Sequence, residues 1–229
     1  LILGNRYIVA CLCLALSYTV SAQEKEKVET SKLTLKSYFR LPQVTSNTFF
    51  KEVSRGITDV GLSIDYEIIP KFYIGAGAKH TLIEISQFKI AENLDAKSHF
   101  FGAFGEVGYL NYFSDKLAYD IGIQAGYQQM YTSSNPCRSE GLDYKTDGSF
   151  FFSPNMSLYL RAGDRMGYSI TFGYTVTQHS YSPSTVCLES FRDFTPNDYQ
   201  KAVSHINFGF GFMVYIGKLD IQTVSDPSK

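Results

Sequence analysis

The stretch ITDVGLSIDYEI, residues 57–68, decides how the chain folds. Val60, Leu62, Ile64, Tyr66 and Ile68 occupy one set of alternate positions, and Asp59, Gly61, Ser63, Asp65 and Glu67 the other. A period of two puts these sets on opposite faces of a β-strand. One face is uniformly bulky and apolar; the other is small, polar or acidic. A soluble sandwich buries its bulky face and hydrates the other, where glycine has no evident purpose. A membrane barrel has the reverse need, with small and polar residues filling a crowded lumen and bulky ones meeting lipid. Side-chain size favours the membrane barrel. A soluble ligand-binding barrel with its aromatic face inward stays open as the alternative.

The same alternation recurs at 32–41, 72–85, 99–112, 117–131, 149–160, 166–177 and 203–215, giving eight segments in all. The 117–131 segment is as clean as 57–68. The 99–112 segment is the weakest, because Phe100, Phe104 and Leu110 fall on its inner face. Pro154 interrupts 149–160 and cannot donate to a ladder, which predicts a bulge or a local pairing defect there. Connections of 69–71, 113–116 and 161–165 are short, whereas 42–56, 86–98, 132–148 and 178–202 are long, in strict alternation. Even strand number, termini on one side, short periplasmic turns and long outer loops produce that order. Closure also removes open edges, whose unpaired backbone groups are costly in hydrocarbon. The predicted fold is all-β, an eight-stranded antiparallel up-and-down transmembrane β-barrel over residues 32–217.

Residues 1–22 combine a short basic start, an apolar run from Tyr7 to Leu16 and a Val20-Ser21-Ala22 cleavage pattern, which predicts a signal peptide. An anchor helix needs a longer apolar run. A lipoprotein site at Cys11 would leave almost no hydrophobic stretch ahead of it. Residues 23–31 are charged and unpatterned, a flexible lead-in, and 218–229 form a polar tail. Of 229 residues, 44% are apolar and 15% aromatic, enough for one domain, and the net charge of -1 gives no reason to expect nucleic acid as a partner.

The inner face of the predicted barrel holds Lys36, Arg40, Lys79 and His205 together with Asp59, Asp65, Glu67, Glu106 and Asp120. These charges either pair and plug a narrow lumen or line a small ion path; eight strands leave room for side chains or one small ligand. Unpaired charges in such an interior are costly, which favours plugging. Cys137 and Cys187 remain after export, in the third and fourth long loops, and are read as a disulfide or as two separate thiols. The long loops are either binding surfaces for an extracellular ligand or variable connections. His179 and Ser180 are adjacent, a weak hint of lipid-modifying catalysis, since neighbouring strand residues point apart. Four histidines form no close chelating group in sequence, and no motif implies a metal, cofactor or catalytic set.

With the leader, eight segments and loop order in place, residues 32–218 resemble the small outer-membrane barrels typified by OmpA and OmpX. They look most like the outer membrane protein β-barrel domain proteins of Bacteroidota. The resemblance implies a monomeric barrel in the outer membrane of a Gram-negative bacterium, inserted by the barrel-assembly machinery and surrounded by outer-membrane lipid. Roles in such families run from structural support and adhesion to small pores. This sequence departs in its ending: Tyr215 is followed by a polar tail rather than closing on an aromatic residue.

Overall fold

The computed structural model describes residues 27–85, 94–189, 194–199 and 201–223. The expected signal peptide therefore lies outside the described residues. Eight antiparallel strands close into a barrel: β2 (Leu33–Val44), β3 (Ser54–Ile69), β4 (Phe72–Ile85), β5 (Ala96–Tyr112), β6 (Leu117–Ser134), β7 (Lys145–Arg161), β8 (Met166–Ser180) and β9 (Ala202–Ile216). Each pairs with its chain neighbour, and β2 closes the ring on β9 through twelve residue pairs from Leu33–Ile216 to Val44–His205. Within the residues expected as lead-in and tail, β1 (Lys27–Thr30) pairs with β10 (Asp220–Thr223) as a two-stranded ribbon at the end that carries both termini. Among the described residues, three short α-helices decorate the other end: α1 (Thr48–Val53), α2 (Asn135–Ser139) and α3 (Pro196–Tyr199). No described helix is long and apolar enough to cross a membrane, which says nothing of crossing by strands.

The bulky set faces out. Leu62, Ile64, Phe152, Phe208, Phe210 and Phe212 are among the exposed large apolar side chains around the wall, with Phe210 62% exposed. Their partners in the alternation, from Thr34 and Ser63 to Thr171 and Asn207, are buried. The soluble ligand-binding barrel required the opposite arrangement and is excluded by it. A continuous apolar wall of this extent is unstable in water and suits hydrocarbon.

Pro154 behaves largely as expected. Its β6 neighbour Ile123 stays in register, but pairing with β8 breaks between Phe152–Val176 and Asn155–Gly173. The register is the same on both sides of the gap, so this is a pairing defect without a bulge. Ser153 Oγ and Thr175 Oγ1, 2.9 Å apart, bridge it from the lumen side.

The strands run further than the sequence pattern suggested, by up to four residues at the long-loop end and by at most one at the short-turn end. β6 has 18 residues and ends at Ser134 rather than at 131, and β7 begins at Lys145 rather than at 149. Eighteen residues extend roughly 60 Å and at a tilt of about 40° rise roughly 45 Å, well beyond an apolar band of about 25 Å. The excess forms a rim above the belt, where outward positions have no reason to be apolar and the alternation fades.

Candidate functional site in the barrel lumen

The lumen is filled in layers. At the short-turn end Tyr73, Leu110, Tyr112, Ala118, Tyr159, Met213 and Tyr215 form a buried cluster, with the Tyr112 and Tyr215 hydroxyls in contact. Room for these rings comes from glycine on neighbouring strands. A Cβ on Gly108 would sit 2.3 Å from the Tyr73 hydroxyl, and Tyr73 and Gly108 are paired residues of β4 and β5.

Above this cluster lies the first charged group. Lys36 Nζ is 2.5 Å from Asp120 Oδ2 and 3.0 Å from Asp65 Oδ2. Lys36 is on β2 and Asp120 on β6, opposite walls of the ring, so this pair spans the lumen. The Tyr73 hydroxyl contacts Asp120 Oδ1 at 2.7 Å and Glu106 Oε1 at 3.1 Å, while Gln124 Nε2 donates to Glu106 Oε2 at 3.1 Å. The Lys36 ammonium also sits 3.6 Å from the centre of the Tyr73 ring.

A second charged group lies one level up. Arg40 Nε donates to Asp59 Oδ2 at 2.9 Å, with Nη2 2.8 Å from the same oxygen, and Thr81 donates to Asp59 Oδ1 at 2.8 Å. The guanidinium rests 3.6 Å over the Tyr38 ring. Tyr38 in turn is flanked in the ladders by Gly61 on one side and Gly211 on the other. Lys79 points its ammonium at the Phe151 ring, 4.2 Å away, and makes no hydrogen bond to a described protein atom. Neither nitrogen of the buried His205 makes one.

Eight of the nine residues singled out on the inner face are thus buried there: Lys36, Arg40, Asp59, Asp65, Lys79, Glu106, Asp120 and His205. They divide into two groups, one around Lys36 and one around Arg40. Glu67 is the exception to burial. It lies half-exposed at the short-turn mouth, beside Lys32 and Lys71. Tyr38, Tyr73, Thr81 and Gln124 complete the network although they carry no formal charge. Their inward phase was readable, but their bonding depends on cross-strand register.

The long-loop end closes with a larger apolar cluster. Phe49 and Phe50 of α1 turn inward onto Tyr181, with the Phe50 and Tyr181 rings 4.4 Å apart, over Ile83, Ile85, Phe100, Met130, Val186 and Val203. Phe100 and Phe104, which weakened the alternation of the fourth segment, are buried inside as their phase indicated. Asn47, at φ 64°, accepts from Phe50 N–H and donates to the carbonyls of Tyr199 at 2.8 Å and Lys201 at 3.0 Å, tying the first long loop to the fourth. The Tyr181 hydroxyl contacts Ser98 Oγ at 3.3 Å, and burial raises its phenol well above the usual range.

Cys137, in α2, and Cys187, after the Pro183–Val186 turn, are joined as a disulfide with Cα atoms 5.0 Å apart. It links the third loop to the fourth, next to a hydrogen bond of 3.0 Å from Ser134 Oγ to the Val186 carbonyl. His179 and Ser180 face opposite ways. His179 is buried with Nδ1 2.8 Å from Asp147 Oδ2, while Ser180 is exposed, so the two form no catalytic pair.

No family model and no curated protein sequence matches the chain. Among solved structures, Neisserial surface protein A has a TM-score of 0.52 at 11% identity, covering 82% of this chain and 99% of that one. The attachment invasion locus protein Ail of Yersinia pestis has a TM-score of 0.42 at 11% identity, over 83% of this chain and 99% of its own. The outer membrane protein OprG of Pseudomonas aeruginosa has 0.39 at 11%, over 84% and 99%. At such identities the likeness is one of architecture, and only the first is strong enough to argue from: the chain has the barrel fold of Neisserial surface protein A.

Proposed function

We propose that this protein is a structural or surface-binding barrel of the Gram-negative outer membrane whose lumen is closed to solute flow. The observation that carries the proposal is the layering of the interior, in which the Lys36–Asp120 pair that spans the lumen and the Arg40–Asp59 pair on adjacent strands lie between two apolar clusters. An ion would have to break the Lys36–Asp120 contact and part both clusters to pass. What remains for the protein to offer is its outer surface: a rim held by the Cys137–Cys187 disulfide and loops joined through Asn47. In this reading residues 1–22 are the export signal, the barrel-assembly machinery inserts the chain, and it works as a monomer in lipid, with any ligand meeting the loops. Membership of the Bacteroidota-type barrel family belongs to the same proposal, supported by the leader, the strand pattern and the loop order.

Planar-bilayer recording of the refolded protein tests the closed lumen. No steady unitary conductance is expected from the wild type, and removing the outer cluster's aromatic side chains with Phe50→Ala and Tyr181→Ala should increase leak. Reproducible unitary channels in the wild type, blocked by substitution at Glu106 or Asp120, would establish the narrow-pore reading instead.

A further inference from the structure

The four histidines are scattered in sequence, yet two of them meet. His80 on β4 and His99 on β5 both point out of the barrel and are half-buried against the wall. They are not direct ladder partners, since His80 is paired with Phe101 and His99 with Leu82. The diagonal nevertheless brings His80 Nε2 to 3.2 Å from His99 Nδ1, with the two rings 14° from parallel. The His80 ring also stacks on Phe101 at 4.4 Å. On one side of the pair the wall carries Ala78, Phe101 and Ala103; on the other, Glu84 and Lys97 form an exposed ion pair at 3.5 Å. The histidines therefore mark the border between the apolar belt and the polar rim.

A separation of 3.2 Å suits a hydrogen bond, and it also suits two ligands of one cation. Metal–imidazole bonds of about 2.0–2.1 Å closing on that separation subtend roughly 100°, between the octahedral and tetrahedral values. Imidazole favours Cu²⁺, Zn²⁺ and Ni²⁺, whereas Ca²⁺ and Mg²⁺ require oxygen donors. The stack on Phe101 and the two strands hold the rings within reach of each other, and a cation would replace their mutual hydrogen bond after each ring turns to aim its nitrogen at the shared metal. We propose that His80 and His99 form a two-imidazole chelate for a divalent transition cation on the outer wall of the barrel.

Glu84 lies two same-face positions beyond His80, roughly 13 Å along the strand, and faces Lys97, so it does not complete the site. Among the described residues no group of three or more His, Cys, Asp or Glu side chains is placed to hold a metal. The remaining coordination positions thus belong to water or to a donor from outside the chain. Such a site is open and reversible, unlike the closed four-ligand sites that hold structural zinc.

Calorimetric titration of the refolded full chain in detergent micelles with CuSO₄, and separately with ZnSO₄, tests the chelate. One cation should bind per chain, Cu²⁺ more tightly than Zn²⁺. His80→Gln and His99→Gln should each weaken binding at least about tenfold, and the double variant should lose little more, because one remaining imidazole is no longer a chelate. His179→Gln, which alters the imidazole beside Asp147, should bind as the wild type does. Heat-modifiable migration verifies that each variant is folded, and copper EPR should show two nitrogen ligands in the wild type. Equal affinity in the wild type and the double variant, or a loss that follows His179 instead, would overturn the proposal.

Discussion

Replacing Asp59 by alanine should destabilise the folded barrel by about 3–5 kcal/mol, the usual cost of leaving a buried charge without its partner. Arg40 is 1% exposed, and its described ion pair is with Asp59. The loss would also free the Thr81 hydroxyl that donates to Asp59. Reversible urea unfolding in detergent, followed by tryptophan-free near-UV signals or by heat-modifiable migration, measures the change. The double variant Arg40→Met/Asp59→Leu should recover most of it, because the cost lies in the orphaned guanidinium rather than in the pair itself. A single variant as stable as the wild type would mean that water reaches Arg40 freely, and the plugged lumen would lose one of its two charged groups.

The second large effect is steric. Gly61→Val should cost about 3 kcal/mol, the upper part of the range for overpacking. A Cβ at position 61 would lie 2.2 Å from the Tyr38 ring, which cannot retreat without leaving the Arg40 guanidinium stacked above it. The clash therefore spreads into the same charged group. Tyr38→Ala should relieve most of the penalty in the Gly61→Val background, so a double-mutant cycle should show strong coupling between the two positions. Additive effects would place the strain elsewhere.

The phase of every strand was legible because one face meets hydrocarbon, and a lipid-facing wall tolerates few exceptions. That is why Leu62, Ile64 and Tyr66 identify the outside so plainly. The outer ends were less legible for the same physical reason. Above the belt nothing requires an apolar outward residue, so Thr132 to Ser134 and Lys145 to Gly148 resembled loop although they continue the ladders. Pro42 misled in another way. It ends a pattern in sequence, but β2–β3 pairing stops at Arg40–Asp59, leaving Pro42 opposite Asn207 on the β9 side, where β2 continues to Val44.

The candidate site was half legible. Charged residues on the inner face follow from alternation alone, but the contact between Lys36 and Asp120 depends on how four successive strand pairings are staggered around the ring. No local signal encodes that stagger. The inner glycines posed a puzzle that only the register resolves: Gly61 and Gly108 lie beside the inward rings of Tyr38 and Tyr73. The meeting of His80 with His99 was invisible for the same reason, since their spacing in sequence says nothing about a diagonal across two strands.

The proposed function requires a barrel that spans the outer membrane with its long loops outside and its bulky face in lipid. Single cysteines at Glu140, in the third long loop, and at Asp164, in the last short turn, test it directly with a membrane-impermeant maleimide on intact cells. Glu140→Cys should be labelled at once and the chain recovered in the outer-membrane fraction, whereas Asp164→Cys should label only after the cells are permeabilised. Equal labelling of both sites in intact cells, or recovery of the chain in a soluble fraction, would contradict the account.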